Sequence, residues 1–201
     1  MNPTLQIAQI VPCTEAEGPG KRFGIWFQGC PLRCTGCCNP EFLSFKGGEP
    51  WDFVALLDAI EKARALGIEG ITLLGGEPFA HADSASLLAS AVRKLGLSVM
   101  VFSGYTIEQI RQMSEPCGDL LRCTDILVDG PYERERPDTQ RRWIGSTNQR
   151  IYFLTDRYRA DDPCWLQKNT LEIRLDAFGL SVNGFPALSA KELWKGDFRR
   201  V

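Results

Sequence analysis

The chain has 201 residues, 44% hydrophobic and 24% charged, with a formal net charge of -2 and eight cysteines. These values fit one ordinary globular domain with a sizeable core, and give no electrostatic reason to expect nucleic acid or an anionic membrane as partner. No apolar run approaches the roughly 18 residues of a membrane span. The start, "MNPTLQIAQIVPC", lacks the basic and apolar segments of a secretory signal, so the expected location is cytoplasmic.

In chain order, "RFGIWFQ" (22–28) reads as a buried strand ending at a cysteine-rich loop. "PWDFVALLDAIEKARAL" (50–66) reads as a helix with Pro50 near its start and a stop at Gly67. "IEGITLLGG" (68–76) is a strand running into a glycine turn. "ADSASLLASAVRKL" (82–95) is a helix closed by Gly96. "LSVMVFSG" (97–104) is a strand, "TIEQIRQM" (106–113) a short helix, and "TDILVDG" (124–130) and "QRIYFLT" (149–155) two further strands. The segment 131–147 is charged and helix-poor and reads as a surface loop, while 169–186 alternates around "DAFG" as a β-hairpin that extends the sheet edge or covers one side.

Strands separated by helices imply right-handed βαβ units and a parallel sheet. Five strands are too few for a closed eight-fold barrel, so the expected fold is α/β, a partial (βα) barrel with parallel strands plus a C-terminal β-hairpin extension. The expected organisation is a core over residues 1–155 and an extension over 156–201 packed on it. Ligands in such sheets sit at the carboxyl ends of the strands. The cysteine loop, "GGEP", "SGYT" and "DGPY" all fall there.

"FQGCPLRCTGCCNP" (27–40) places Cys30, Cys34 and Cys37 in a C-x3-C-x2-C spacing. Cytosolic thiols stay reduced, so clustered cysteines point to metal or redox chemistry. With a single histidine, His81, any metal site must be mostly sulfur or oxygen. Three thiolates on one loop suit three corners of a 4Fe-4S cluster and leave the fourth iron open, unlike the four-cysteine electron-transfer clusters. A structural zinc site, with Cys38 as fourth sulfur, is the plainer alternative, but zinc favours paired C-x2-C knuckles. A register through Cys38 in place of Cys37 fits no known pattern. In "LLGGEP" (73–78), two glycines allow close backbone approach to a ligand, and Glu77 is a carboxylate suited to a ligand ammonium. The same turn also reads as a simple helix start at Glu77-Pro78.

The two motifs together resemble the radical S-adenosylmethionine superfamily. "EGPGKRFGIWFQGCPLRCTGCCNPEF" (17–42) is similar to the start of glycyl-radical-enzyme activating proteins, and "FSGYT", "ILVDGPY" and "IGSTNQRI" to landmarks of the anaerobic ribonucleoside-triphosphate reductase activators. The resemblance covers roughly residues 15 to 154. It implies a partial barrel of the radical S-adenosylmethionine type, a 4Fe-4S cluster on Cys30, Cys34 and Cys37, and S-adenosyl-L-methionine chelated at the open iron. Reductive cleavage of that cofactor gives a 5′-deoxyadenosyl radical, which abstracts hydrogen from a backbone glycine of a partner. The implied partners are a glycyl-radical enzyme such as anaerobic ribonucleotide reductase and a flavodoxin or ferredoxin-type electron donor.

The resemblance further implies that Gly75, Gly76, Glu77 and Pro78 hold the methionyl moiety. Ser103 and Gly104 contact the ribose or amino-acid part, and Asn39 and Arg22 support the loop or the cofactor. Arg22 also reads as a solvated charge at a strand start, and Asn148 and Gln149 as partner contacts or an ordinary turn before the last strand. Three departures bear on the substrate. Cys38 stands where the activators carry histidine or tyrosine, Gly36 where much of the superfamily has an aromatic residue, and the tail exceeds a compact activator. The competing readings are therefore a radical enzyme acting on a small molecule or peptide, with the hairpin walling its pocket, and a non-catalytic metal-binding module.

Other residues invite blander readings. Cys13, Cys117, Cys123 and Cys164 read as buried small apolar residues. His81 reads as a proton carrier near the cofactor or a locally bonded helix-start residue. Trp51, Trp143, Trp165 and Trp194 read as packing or interface anchors.

Overall fold

The computed structural model describes residues 3–176 and 179–185. Strand β1 (Thr4–Thr14) runs antiparallel to β2 (Arg22–Phe27), and β3 (Glu49–Asp52) pairs antiparallel with the other edge of β1. Strands β2, β4 (Gly70–Gly75), β5 (Ser98–Phe102) and β6 (Ile126–Asp129) are mutually parallel, and β7 (Arg150–Phe153) returns antiparallel on β6. The described residues thus form a mixed seven-stranded sheet in the order β3-β1-β2-β4-β5-β6-β7. Helices α1 (Phe53–Ala63) and α2 (Ala82–Lys94) make the crossovers, followed by short α3 (Ile107–Ile110) and α4 (Glu115–Arg122).

Alternation along the parallel strands divides the core in two. Ile25, Phe27, Ile71, Leu73, Val99, Val101 and Leu127 pack under the helices, together with Leu56, Ile60, Leu88 and Val92. Met100, Ile126 and Val128 face the other way. Fully buried Trp143 and Ile144 cover that second face, with Tyr158, Trp165 and Phe185 from the extension.

The structure corrects the sequence reading at several elements. The segment 4–14 is a full strand, whose alternation of buried Leu5 and Ile7 with exposed Thr4 and Gln6 carried the signal. Residues 50–52 belong to β3, and α1 begins after Asp52, whose carboxylate accepts from the N–H groups of Val54 (2.9 Å) and Ala55 (3.2 Å). The last core strand is antiparallel, because the connection 130–149 holds no crossover helix to bring the chain back in the parallel sense. That connection is also no plain surface loop, since Arg142, Trp143, Ile144 and Ser146 are buried. Helix α4 was absent from the sequence reading.

The hairpin exists as β8 (Leu171–Asp176) and β9 (Gly179–Gly184), a separate two-stranded sheet rather than an edge extension. Part of its "DAFG" turn, and Trp194, lie outside the described residues. No helix among the described residues is long and apolar enough to cross a membrane.

Candidate functional site

The carboxyl ends of β2, β4, β5 and β6 lie along one edge of the sheet, and their loops meet there. The cysteine loop leaves β2 through Gln28 and Gly29. The Gln28 side-chain amide donates to the carbonyls of Ser44 (2.6 Å) and Glu41 (3.2 Å). The N–H groups of Gly29 and Cys30 donate to Phe42 (2.8 Å) and Leu43 (3.1 Å). The loop is thus tied at its base to its own return segment.

Above that base, Cys30 is buried and Cys34 and Cys37 are half-buried. The Cys37 N–H donates to the Cys34 carbonyl (3.1 Å), and the Asn39 N–H donates to the Cys37 sulfur (3.4 Å). Burial pushes the Cys30 thiol up, while a hydrogen bond with the Cys38 side chain holds the Cys37 thiol down at about 6. Gly36 takes a left-handed φ of 73° and Arg33 one of 50°. Arg33, a non-glycine residue, marks a tight local turn.

The glycines of "GGEP" serve the protein backbone first. The Gly76 N–H donates to the Phe27 carbonyl (2.7 Å), and the Glu77 N–H to the Gly29 carbonyl (3.0 Å). A Cβ on Gly75 would stand 2.6 Å from the Phe27 nitrogen, and one on Gly76 would run into the Gly29 carbonyl. The turn is therefore laid directly on the base of the cysteine loop, and only glycine fits such backbone contact.

Glu77 is buried and accepts from three donors of the chain. Its Oε1 accepts from the Ser103 hydroxyl (2.9 Å) and the Phe79 N–H (3.0 Å), and its Oε2 from the Gly104 N–H (2.8 Å). Burial pushes its carboxyl up to about 7 against the pull of those donors. Pro78 opens the short 3-10 turn Pro78–His81, which Glu77 caps. The helix-start reading of Glu77 is thus realised, and the same side chain also joins the β4 and β5 loops. Leu32 of the cysteine loop packs on Gly104, where a Cβ would stand on its side chain.

The structure therefore brings Cys30, Cys34, Cys37, Asn39, Gly75, Gly76, Glu77, Pro78, Ser103 and Gly104 to one edge. Arg22 does not join them. It is fully buried at the opposite end of the sheet, bonded to the Thr72 hydroxyl (3.1 Å), the Tyr158 hydroxyl (3.3 Å) and the Ile71 carbonyl. Neither support of the loop nor a solvated charge describes it. Asn148 and Gln149 close the turn before β7, donating to the carbonyls of Pro131 (2.7 Å) and Gly130 (3.0 Å). His81 stacks on Phe27 at 5.2 Å, and burial holds its pKa down.

Sequence reasoning gave no individual role to Gln28, Gly29, Leu32, Tyr132 or Arg134. Gly29 had a signal, a glycine between the strand end and Cys30; the others are placed by contacts distant in sequence.

The donor set fits an iron–sulfur cluster. Three thiols lie on one anchored loop, one already accepting a backbone N–H. Among the described residues no three His, Cys, Asp or Glu side chains converge as they would on a single ion.

Residues 16–152 match the family of the 4Fe-4S single cluster domain. The chain is 30% identical over 152 residues to the anaerobic ribonucleoside-triphosphate reductase-activating protein of Enterobacteria phage T4, covering 74% of this chain and 94% of the relative. It belongs to this family of iron–sulfur activating proteins. The activating protein of Pasteurella multocida is 28% identical over 158 residues (75% of this chain, 99% of the relative), and that of Escherichia coli K12 is 27% identical over 153 residues (73% and 97%). The relatives are nearly spanned while a quarter of this activator homologue is not, and the hairpin lies outside the residues matched to the family domain.

Proposed function

We propose that the chain is a radical S-adenosylmethionine enzyme that generates a glycyl radical on an anaerobic ribonucleotide reductase. Cys30, Cys34 and Cys37 hold a 4Fe-4S cluster, and the edge built by Gly75, Gly76, Glu77, Pro78, Ser103 and Gly104, with Asn39 beside it, takes the cofactor. When bound, the two groups supply one-electron reductive cleavage of a sulfonium and a 5′-deoxyadenosyl radical that abstracts hydrogen from the partner's glycine. We read the four parallel strands as part of a partial barrel, residues 1–155 as its core, 156–201 as an extension packed on it, and the cytoplasm as its location.

The residues prepare this chemistry. Gln28 and the 28–30 backbone fix at its base the loop that carries the three thiols. Burial of Cys30 keeps water from that side of the site. Ser103, Gly104 and Phe79 hold the Glu77 carboxylate in place, burial brings its titration up to about 7 against their pull, and an approaching ammonium favours its ionised form. A donor of reducing equivalents of the flavodoxin or ferredoxin type supplies the electron.

The observation that carries this reading is the single hydrogen-bonded junction, through Gly29 and Glu77, of the cysteine loop with the β4 and β5 loops. The small-molecule alternative asks for a pocket walled by the hairpin. A cavity of about 460 Å³ lies at the amino ends of β4 and β5, lined by Arg64, Glu69, Leu97, Arg157 and Tyr158.

The test is anaerobic reconstitution of the full chain. It should be brown, carry four irons per chain, and with dithionite release 5′-deoxyadenosine and methionine from S-adenosylmethionine. Adding the reductase encoded by the same genome should then give a doublet electron paramagnetic resonance signal on the partner. A colourless, zinc-loaded protein without cleavage overturns the radical reading; cleavage without any doublet overturns the partner.

A further inference from the structure

We infer that Arg134, carried by the 130–149 connection, is a positioning residue that holds a positive charge against the cysteine loop and raises the reduction potential of the cluster bound there. The inference rests on the cluster assignment proposed above.

Arg134 reaches the loop between two of the three cysteines. A Cβ built on Gly36 would stand 2.7 Å from the Arg134 Cδ and 3.2 Å from its Cβ. The arginine stem therefore lies across Gly36, on the backbone that joins Cys34 to Cys37. Tyr132 stands two residues earlier on the same connection. Burial is the main influence raising its phenol, and the charges acting on it next are Cys38, Arg134 and Cys37. The Arg134 and cysteine charges thus both act on Tyr132.

The charge is also uncommitted. Glu133 is engaged by Arg136 at 3.1 Å, and among the described residues no carboxylate forms an ion pair with Arg134. The connection that bears it is fixed. Its N–H at Thr147 donates to the Arg136 carbonyl (2.7 Å), Arg141 pairs with Asp138 (2.6 Å) and donates to the Gln149 carbonyl (2.8 Å), and Pro137 bridges to Ser146. Trp143, fully buried, anchors the far side.

Reduction adds one electron to the cluster, and a nearby cation stabilises the more negative state. Arg134 is exposed, so salt screens part of the effect. Sequence reading placed this segment at a solvated surface, and the contact with Gly36 is what assigns it a task.

The test is a redox titration of the reconstituted full chain with dithionite, followed by electron paramagnetic resonance. Arg134→Gln should keep its four irons and become harder to reduce, with the reduction equilibrium lowered about three- to tenfold, tenfold being ~59 mV for one electron. Arg134→Lys should restore most of the shift, and raising the ionic strength should shrink it. An iron-loaded Arg134→Gln with unchanged potential overturns the inference alone. So does an Arg134→Lys that shifts as far as the glutamine variant, since loss of packing would then explain both. A wild-type chain that takes up no iron removes the cluster assignment, and this inference with it.

Discussion

At the scale of single residues, the crowding of thiols resolves into different environments. Cys30 is buried at the loop base, Cys34 and Cys37 are half-buried, and Cys38 is exposed beside them. Replacing Cys30, Cys34 or Cys37 by Ala should abolish cluster binding, read as loss of iron and of visible absorbance after anaerobic reconstitution. Cys38→Ala should retain nearly all the iron; a colourless Cys38→Ala protein would show that the ligand register runs through Cys38. The spacing of the cysteines and the "GGE" turn were legible because both are contiguous in sequence. The close backbone approach of Gly75 and Gly76 was legible as a glycine requirement, but not its immediate object. The atoms they meet belong to Trp26, Phe27 and Gly29, some 50 residues earlier. Arg22 was misread for the same reason, because its partners Thr72, Ser98 and Tyr158 come from three other elements.

At the scale of elements, the hairpin shows how an extension is fastened to a core. The Gly184 N–H donates to Glu17 Oε1 (2.7 Å), the Glu15 N–H to Glu172 Oε1 (2.7 Å), and the Asn183 amide to the Thr14 hydroxyl (2.8 Å). Arg174 reaches back to the Cys13 carbonyl and pairs with Glu172. Glu17 is buried in this seam, and burial raises its carboxyl from 4.5 to about 8, with the Glu172 charge adding to the rise. Between those two values the folded chain binds one more proton than the unfolded chain, so this group's contribution to stability falls as pH rises through that window. Glu17→Gln keeps an acceptor for Gly184 and cannot ionise. It should match the wild type in denaturant unfolding at pH 5 and exceed it at pH 8.5, by at most about 4 kcal/mol. A variant less stable than wild type at pH 8.5 would show that Glu17 is ionised in the fold at little cost. The hairpin itself was visible as alternation, whereas its docking surface was not, because a polar seam between distant segments leaves no periodic trace.

At the scale of the whole molecule, the sheet is covered on one face by helices and on the other by the 130–149 connection and the extension. Trp165 stands edge-on to both Trp143 (5.0 Å) and Phe153 (5.1 Å), while Arg142 donates to the Cys164 carbonyl (3.0 Å) and the Gln167 side chain (2.8 Å). Trp165→Ala should cost about 2–3 kcal/mol in a denaturant titration, below a full core deletion because the indole is half-buried. A loss under about 0.5 kcal/mol would mean that the extension merely lies against the core. The sequence by itself determined the spacing of the cysteine loop, the presence of the four parallel strands and the gathering of their loops at one edge. These follow from local spacing, hydrophobic period and the handedness of βαβ connections. Only the tertiary structure decided the direction of β7, the burial of Arg22 and Glu17, the internal bonding of Glu77 and the reach of Arg134 to Gly36. Each of these depends on which distant backbone or side chain fills the adjoining space, and no period or spacing along the chain encodes that.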